Sequence, residues 1–146
     1  MNSNGLITVA SRLSVGETLN RLTTALTKAG LRVFARIDHA RGAEEVGLSL
    51  RPTELLIFGH PKGGTPLMQD KQTAGIDLPV KALAWEDQEG SVWLTYNEAA
   101  WLATRHGLGA AARTPSKRLK QVWLLLLRAS SDWTAMNLSG RITSLV

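Results

Sequence analysis

Any chemistry in this chain has to come from histidines, carboxylates and cations. Its 146 residues include no cysteine, which excludes thiolate catalysis, Cys-ligated zinc and structural disulfides. No serine sits in a GxSxG elbow, so nucleophilic hydrolysis has no support. The three histidines, His39, His60 and His106, show neither HExxH nor an i,i+4 helical pair, and no metal site is expected from them. Two of them, His39 and His60, stand at the ends of apolar stretches. Were those stretches neighbouring parallel strands, Asp38 and His39 would meet His60 at one sheet edge, with Asp38 orienting His39 as an acid–base catalyst. The competing reading leaves His39 exposed or satisfied by backbone.

The segment Phe58-Gly59-His60-Pro61-Lys62-Gly63-Gly64-Thr65-Pro66-Leu67-Met68 follows an apolar run and is dense in glycine and proline. It invites comparison with a phosphate loop. The Walker pattern, however, needs a lysine directly after its second glycine. Here Gly64 is followed by Thr65 and Pro66, and Pro66 lacks an amide with which to cradle phosphate. Nucleotide hydrolysis is therefore not expected. Weak anion binding at a helix N-terminus, assisted by Lys62, is physically reasonable, and so is a tight turn with no binding role.

Around these residues the chain reads as alternating elements. Gly5 to Ser11 is a strand. Ser14 and Glu17 form a capping box ahead of a helix with Leu19, Leu22, Leu26 and Ala29 on one stripe, closed by Gly30. Leu31 to His39 alternates, with Leu31, Val33, Ala35 and Ile37 on one face. Ala40 to Leu48 suits a short helix, and Glu54 to His60 a central strand covered on both faces. Thr65 is placed to cap a helix from Pro66 to about Thr73. Val80 to Glu86 and Ser91 to Tyr96 form a hairpin turned by Gly90. Asn97 then caps a last helix, Glu98 to His106, stopped by Gly107. The order β-α-β-(α)-β-α-β-β-α with a terminal hairpin predicts an α+β fold, a largely antiparallel sheet with helices on one face.

Apolar residues make up 44% of the chain and charged residues 20%, the balance of a globular domain. The net charge of +5 is confined to the residues beyond Leu108, where Arg113, Lys117, Arg118, Lys120, Arg128 and Arg141 face only Asp132. The body is balanced, so nucleic-acid binding is not expected. No signal peptide and no membrane-length apolar run is visible, and a cytoplasmic protein without a membrane partner is expected. Residues 5–108 are expected to form a single domain. Residues 109–146 read as a basic C-terminal extension, one helix and then a loose end. Three readings of that extension stay open: a helix covering the sheet, a basic amphipathic segment for an anionic surface, and an extension from a shifted reading frame.

Several segments together resemble one family. Ile37-Asp38-His39-Ala40, Leu50-Arg51-Pro52-Thr53, Ile57-Phe58-Gly59, Pro61-Lys62, Gly64-Thr65-Pro66-Leu67-Met68, Asp77-Leu78-Pro79, Trp85-Glu86, Tyr96-Asn97 and Arg105-His106 resemble the domain of unknown function 302 family across about residues 5–108. The resemblance implies a curved antiparallel sheet packed by helices, similar to the TATA-binding-protein arrangement, and a bacterial homodimer. It implies no reaction and no cofactor. The chain departs from the family pattern at His60, where asparagine is usual. It departs again in its tail, which does not look like the family's usual C-terminal helix. The resemblance also marks Asp38, His39, Arg51, Lys62, Thr65 and His106 as recurring polar positions.

The resulting expectation is a small polar or anionic ligand in a pocket beside the Gly59–Met68 segment. Arg51, His60, Lys62, Gly64, Thr65 and His106 would bind it, and Asp38 and His39 are the candidate catalytic pair. Two alternatives are an enzyme using Asp38 and His39, and a homodimeric interaction module with no ligand.

Overall fold

The computed structural model describes residues 4–110. The readings of the tail lie, beyond Ala110, outside the described residues. Five strands, β1 (Leu6–Ser11), β2 (Arg32–Asp38), β3 (Thr53–Gly59), β4 (Val80–Glu86) and β5 (Val92–Asn97), form one sheet in the order β1-β5-β4-β3-β2. Every neighbouring pair is antiparallel. Among the described residues, four helices join or follow them: α1 (Val15–Lys28), α2 (His39–Glu45), α3 (Pro61–Asp70) and α4 (Ala99–Arg105). A 3₁₀ segment, Gln72–Asp77, follows α3. The fold is α+β, as the order of elements predicts.

The long helix α1 holds one face of the sheet. The Ser14 side chain accepts from the Glu17 amide at 3.2 Å, which fixes its start. Its apolar stripe of Val15, Leu19, Leu22 and Leu26 is buried against Leu56 and Phe58 of β3, Ala82 and Ala84 of β4, and Leu94 and Tyr96 of β5. The two alanines leave room for the helix, and the large residues on either side fill the flanks. Burial pushes the Tyr96 phenol up to about 12. The opposite faces of β3 and β4, carrying Leu55, Ile57, Leu83 and Trp85, are only half-buried, so β3 is not covered equally on both sides.

Strand β2 departs from simple alternation. Its register against β3 shifts between Val33 and Ala35, so Val33 opposes Phe58 on the helix side while Ala35 and Ile37 oppose Ile57 and Leu55 on the other. The extra residue is a β-bulge, and it moves the later side chains to the other face. Arg36 consequently lands beneath α1. It donates to Glu54 and to the Asn20 side chain, both at 2.6 Å, and to the Gly16 carbonyl at 3.1 Å. Phe34, at the bulge, is 51% exposed.

Three helices end in one device. After α1, α2 and α4 comes a glycine with positive φ (Gly30, Gly47, Gly107), followed by a leucine (Leu31, Leu48, Leu108). In each, the leucine amide donates back to the carbonyl five residues earlier: Leu26, Ala43 and Ala103, at 3.0, 2.9 and 3.0 Å. These are Schellman motifs, and a side chain at the left-handed glycine would be strained.

The Gly59–Met68 segment is helical for most of its length. Helix α3 starts at Pro61, not at Pro66, and His60, not Thr65, caps it. Proline suits a first helical position because its missing amide would have no partner there. Similarly, Asn97 belongs to β5, and Glu98 stands at the start of α4 without a side-chain capping bond.

Candidate functional site

The antiparallel pairing of β2 and β3 decides how the Asp38-His39 pair stands to His60. Asp38 opposes Glu54, while Gly59 opposes Arg32. The Asp38-His39 pair and His60 therefore sit at opposite ends of these strands, roughly 20 Å apart at about 3.3 Å per residue. The arrangement that would join them needs parallel strands, and these are antiparallel. Asp38 is committed elsewhere: its Oδ1 accepts from the Arg41 amide at 2.9 Å and caps α2. His39 begins that helix with its side chain exposed. Among the described residues, no bond joins Asp38 to His39 in the way the acid–base reading requires.

Arg51 lies at the Asp38 end, where the chain enters β3. Its charge acts on Asp87, in the β4–β5 turn. The indole of Trp93, donating to Oδ2 at 2.7 Å, is the main reason the Asp87 carboxyl is held below its usual range. Partial desolvation opposes this, while the amides of Ser91 and Glu89 and the Arg51 charge reinforce it. The aspartate is thus a turn organiser, and Arg51 its electrostatic neighbour.

The other end of the sheet gathers His60, Lys62, Gly64, Thr65 and His106. His60 Nδ1 accepts from the Lys62 amide at 3.0 Å, so this imidazole serves the helix start. Lys62 and Thr65 are exposed. Gly64 faces the Leu78 side chain, which a Cβ would meet at an ordinary 3.7 Å. His106 Nε2 lies 2.5 Å from Asp77 Oδ2, with both side chains largely buried. A carboxylate only accepts, so Nε2 carries the proton. Arg105 Nε stands 3.6 Å from the same oxygen, and its guanidinium lies over the Trp101 ring. This His–carboxylate pair latches α4 to the 3₁₀ segment. Close by, Gly109 N donates to Asp70 at 2.7 Å.

A groove of about 430 Å³ opens at the Asp38 end, between the β1–α1 connection and the β4–β5 hairpin. Ser11, Arg12, Ser14, Glu86, Ser91 and Trp93 are among its walls. Two of the serines also have structural work. Ser11 bonds Thr18 at 2.7 Å, and Ser14 caps α1. Its mixed walls, a guanidinium with a carboxylate and hydroxyls, suit a small polar molecule bearing both charges. The sequence offers no signal for it, because the two connections lie about eighty residues apart and meet only through the β1–β5 pairing. Among the described residues, no group of three or more His, Cys, Asp or Glu is placed to hold a metal ion.

The family model described as "Domain of unknown function DUF302" matches residues 7–124. The crystal structure of an uncharacterised conserved DUF302 protein from Bacillus stearothermophilus superposes with a TM-score of 0.75 at 20% identity, covering 86% of this chain and 98% of that one. At that identity the likeness speaks for the fold. Among curated proteins, "Fluoride-specific ion channel FluC 1" of Brucella suis is 55% identical over 116 residues, 80% of this chain and 46% of the relative. Proteins named FluC 1 in Brucella abortus and FluC 2 in Brucella melitensis match at the same identity over 43% of their length. The chain thus spans less than half the length of these relatives. Their names correct two expectations: the cytoplasmic location, and the set of partners that left out a membrane. Among the described residues, no helix is long and apolar enough to cross a membrane.

Proposed function

Since the chain belongs to the DUF302 family, we propose that it acts as the companion module of a fluoride-specific ion channel. One observation carries this reading: the 55% identity over 116 residues to polypeptides named as such channels, in which the matched segment is under half of the length. More than half of each relative lies outside that segment, and conduction is assigned to it. No described helix of this chain is long and apolar enough to span a bilayer, whereas a helical conduction path needs spans of roughly 20 apolar residues. The role left to the matched segment is to bind the channel portion and modulate or position it. The test supplies this chain to the Brucella suis relative lacking its matched 116 residues, and reads fluoride flux from liposomes. A flux that changes with added chain supports the reading, and a flux indifferent to it counts against.

A second reading, capture of a small polar ligand, is favoured by the groove at Arg12 and Glu86. The expected binding place thereby moves away from the α3 end. Isothermal titration with small zwitterions is expected to give binding that Arg12→Ala weakens by about tenfold, the loss of one charge-assisted contact. Binding that Arg12→Ala leaves unchanged would remove the groove from the account.

A further inference from the structure

The three Schellman motifs act as internal controls for one another. In this motif the leucine after the glycine normally packs back over the last helical turn. Leu31 does so at 8% exposure against Leu26, and Leu108 at 5% beside Ala103. Leu48 has the same backbone bonds and is 67% exposed. Its neighbours share the anomaly, with Val46 at 71% and Leu50 at 48%. The helix they close, α2, has no buried residue. Connections on protein surfaces are usually polar, and a cluster of large apolar side chains on one marks a contact surface. The motif also fixes the backbone at Leu48, so the apolar group is presented in a set position at small ordering cost.

Resting on the companion-module reading, we propose that Val46, Leu48 and Leu50 form the docking ridge for an apolar recess on the channel polypeptide. Local charge selects a protein over a lipid surface. From Asp38 to Arg51 there are three carboxylates, Asp38, Glu44 and Glu45, against two guanidiniums, Arg41 and Arg51. Loops that enter anionic bilayers carry an excess of cations; this one carries the reverse. The relatives supply the reason for the partner chosen: their matched segment is on the same polypeptide as the remaining half, so a modest ridge works at high effective concentration.

The absence of cysteine gives a clean test. The 146-residue chain carrying Leu48→Cys is labelled with a photoreactive maleimide and added to the Brucella suis relative, lacking its matched segment and verified to conduct, in nanodiscs. Ile76→Cys serves as control, since Ile76 is 74% exposed at the other end of the sheet. Adducts to the channel are expected from position 48 and not from 76. Leu48→Ser is expected to weaken association by about tenfold, the value of burying one leucine. If wild-type chain binds but position 48 yields no channel adduct and Leu48→Ser binds equally, the ridge is overturned and the companion reading stands. Adducts to lipid alone overturn the choice of partner. No association of the wild type overturns both.

Discussion

Replacing Phe58 with alanine is expected to lower the folding stability by about 3–5 kcal/mol. Phe58 is fully buried in the third strand, where its ring is held between α1 and the flanking strands. Truncation removes the transfer free energy of the ring and leaves a cavity that the two alanines of β4, Ala82 and Ala84, cannot fill. Native domains hold about 5–15 kcal/mol in total, so the loss takes a large share of it. For a domain of this size the melting temperature should fall by at least about 12 °C. The chain's other phenylalanine supplies the contrast. Phe34 is 51% exposed at the bulge, and Phe34→Ala should stay within about 0.5 kcal/mol of wild type. Thermal denaturation of the two variants side by side checks both.

Gly5→Ala is expected to cost about 2–5 kcal/mol, from two separable sources. The backbone at Gly5 has φ +71, where an added Cβ is strained. That Cβ would also lie 2.2 Å from Trp101 Cδ2 and 2.3 Å from Cγ, atoms near the root of the indole that cannot swing aside. Glu98 N donates to the Gly5 carbonyl at 2.8 Å, so the backbone is tied to the start of α4 and cannot retreat either. Combining Gly5→Ala with Trp101→Ala should relieve the clash but leave the backbone strain. The double variant is then more stable than the sum of the single losses predicts, and a denaturation cycle measures the difference. Strict additivity would show that the tryptophan is not what confines Gly5.

Much of the architecture was legible in the residues because local patterns and tertiary packing agree. The Ser14 cap, the stripe on α1 and the turn at Asp87–Gly90 need no distant information. The misreadings arose where a partner decides the outcome. Leu31 to Ile37 alternates without fault, yet its register against β3 inserts a bulge that turns Arg36 toward the helix. Glycine and proline between His60 and Pro66 suggested a loop, but Pro61 at the helix start and the His60 cap outweigh the glycines. The helix between β2 and β3 allowed a parallel crossover, and the pairing is antiparallel. That single reversal separates Asp38 and His39 from the α3 end. Asp77 and His106, 29 residues apart, had no spacing rule to join them.

The membrane association carried by the relatives' names was illegible for a different reason. Nothing in a balanced α+β domain records what it is attached to or works beside. In the relatives more than half of the polypeptide lies outside the matched segment.

The companion-module reading is tested most directly by titrating this chain into liposomes holding the Brucella suis relative deprived of its matched 116 residues, with fluoride release followed by an ion-selective electrode. The account predicts a saturable change in flux, toward that of the complete relative, and reduced when Leu48→Ser chain is used. Flux that stays the same at every concentration of chain, with no association in the same membranes, would contradict it.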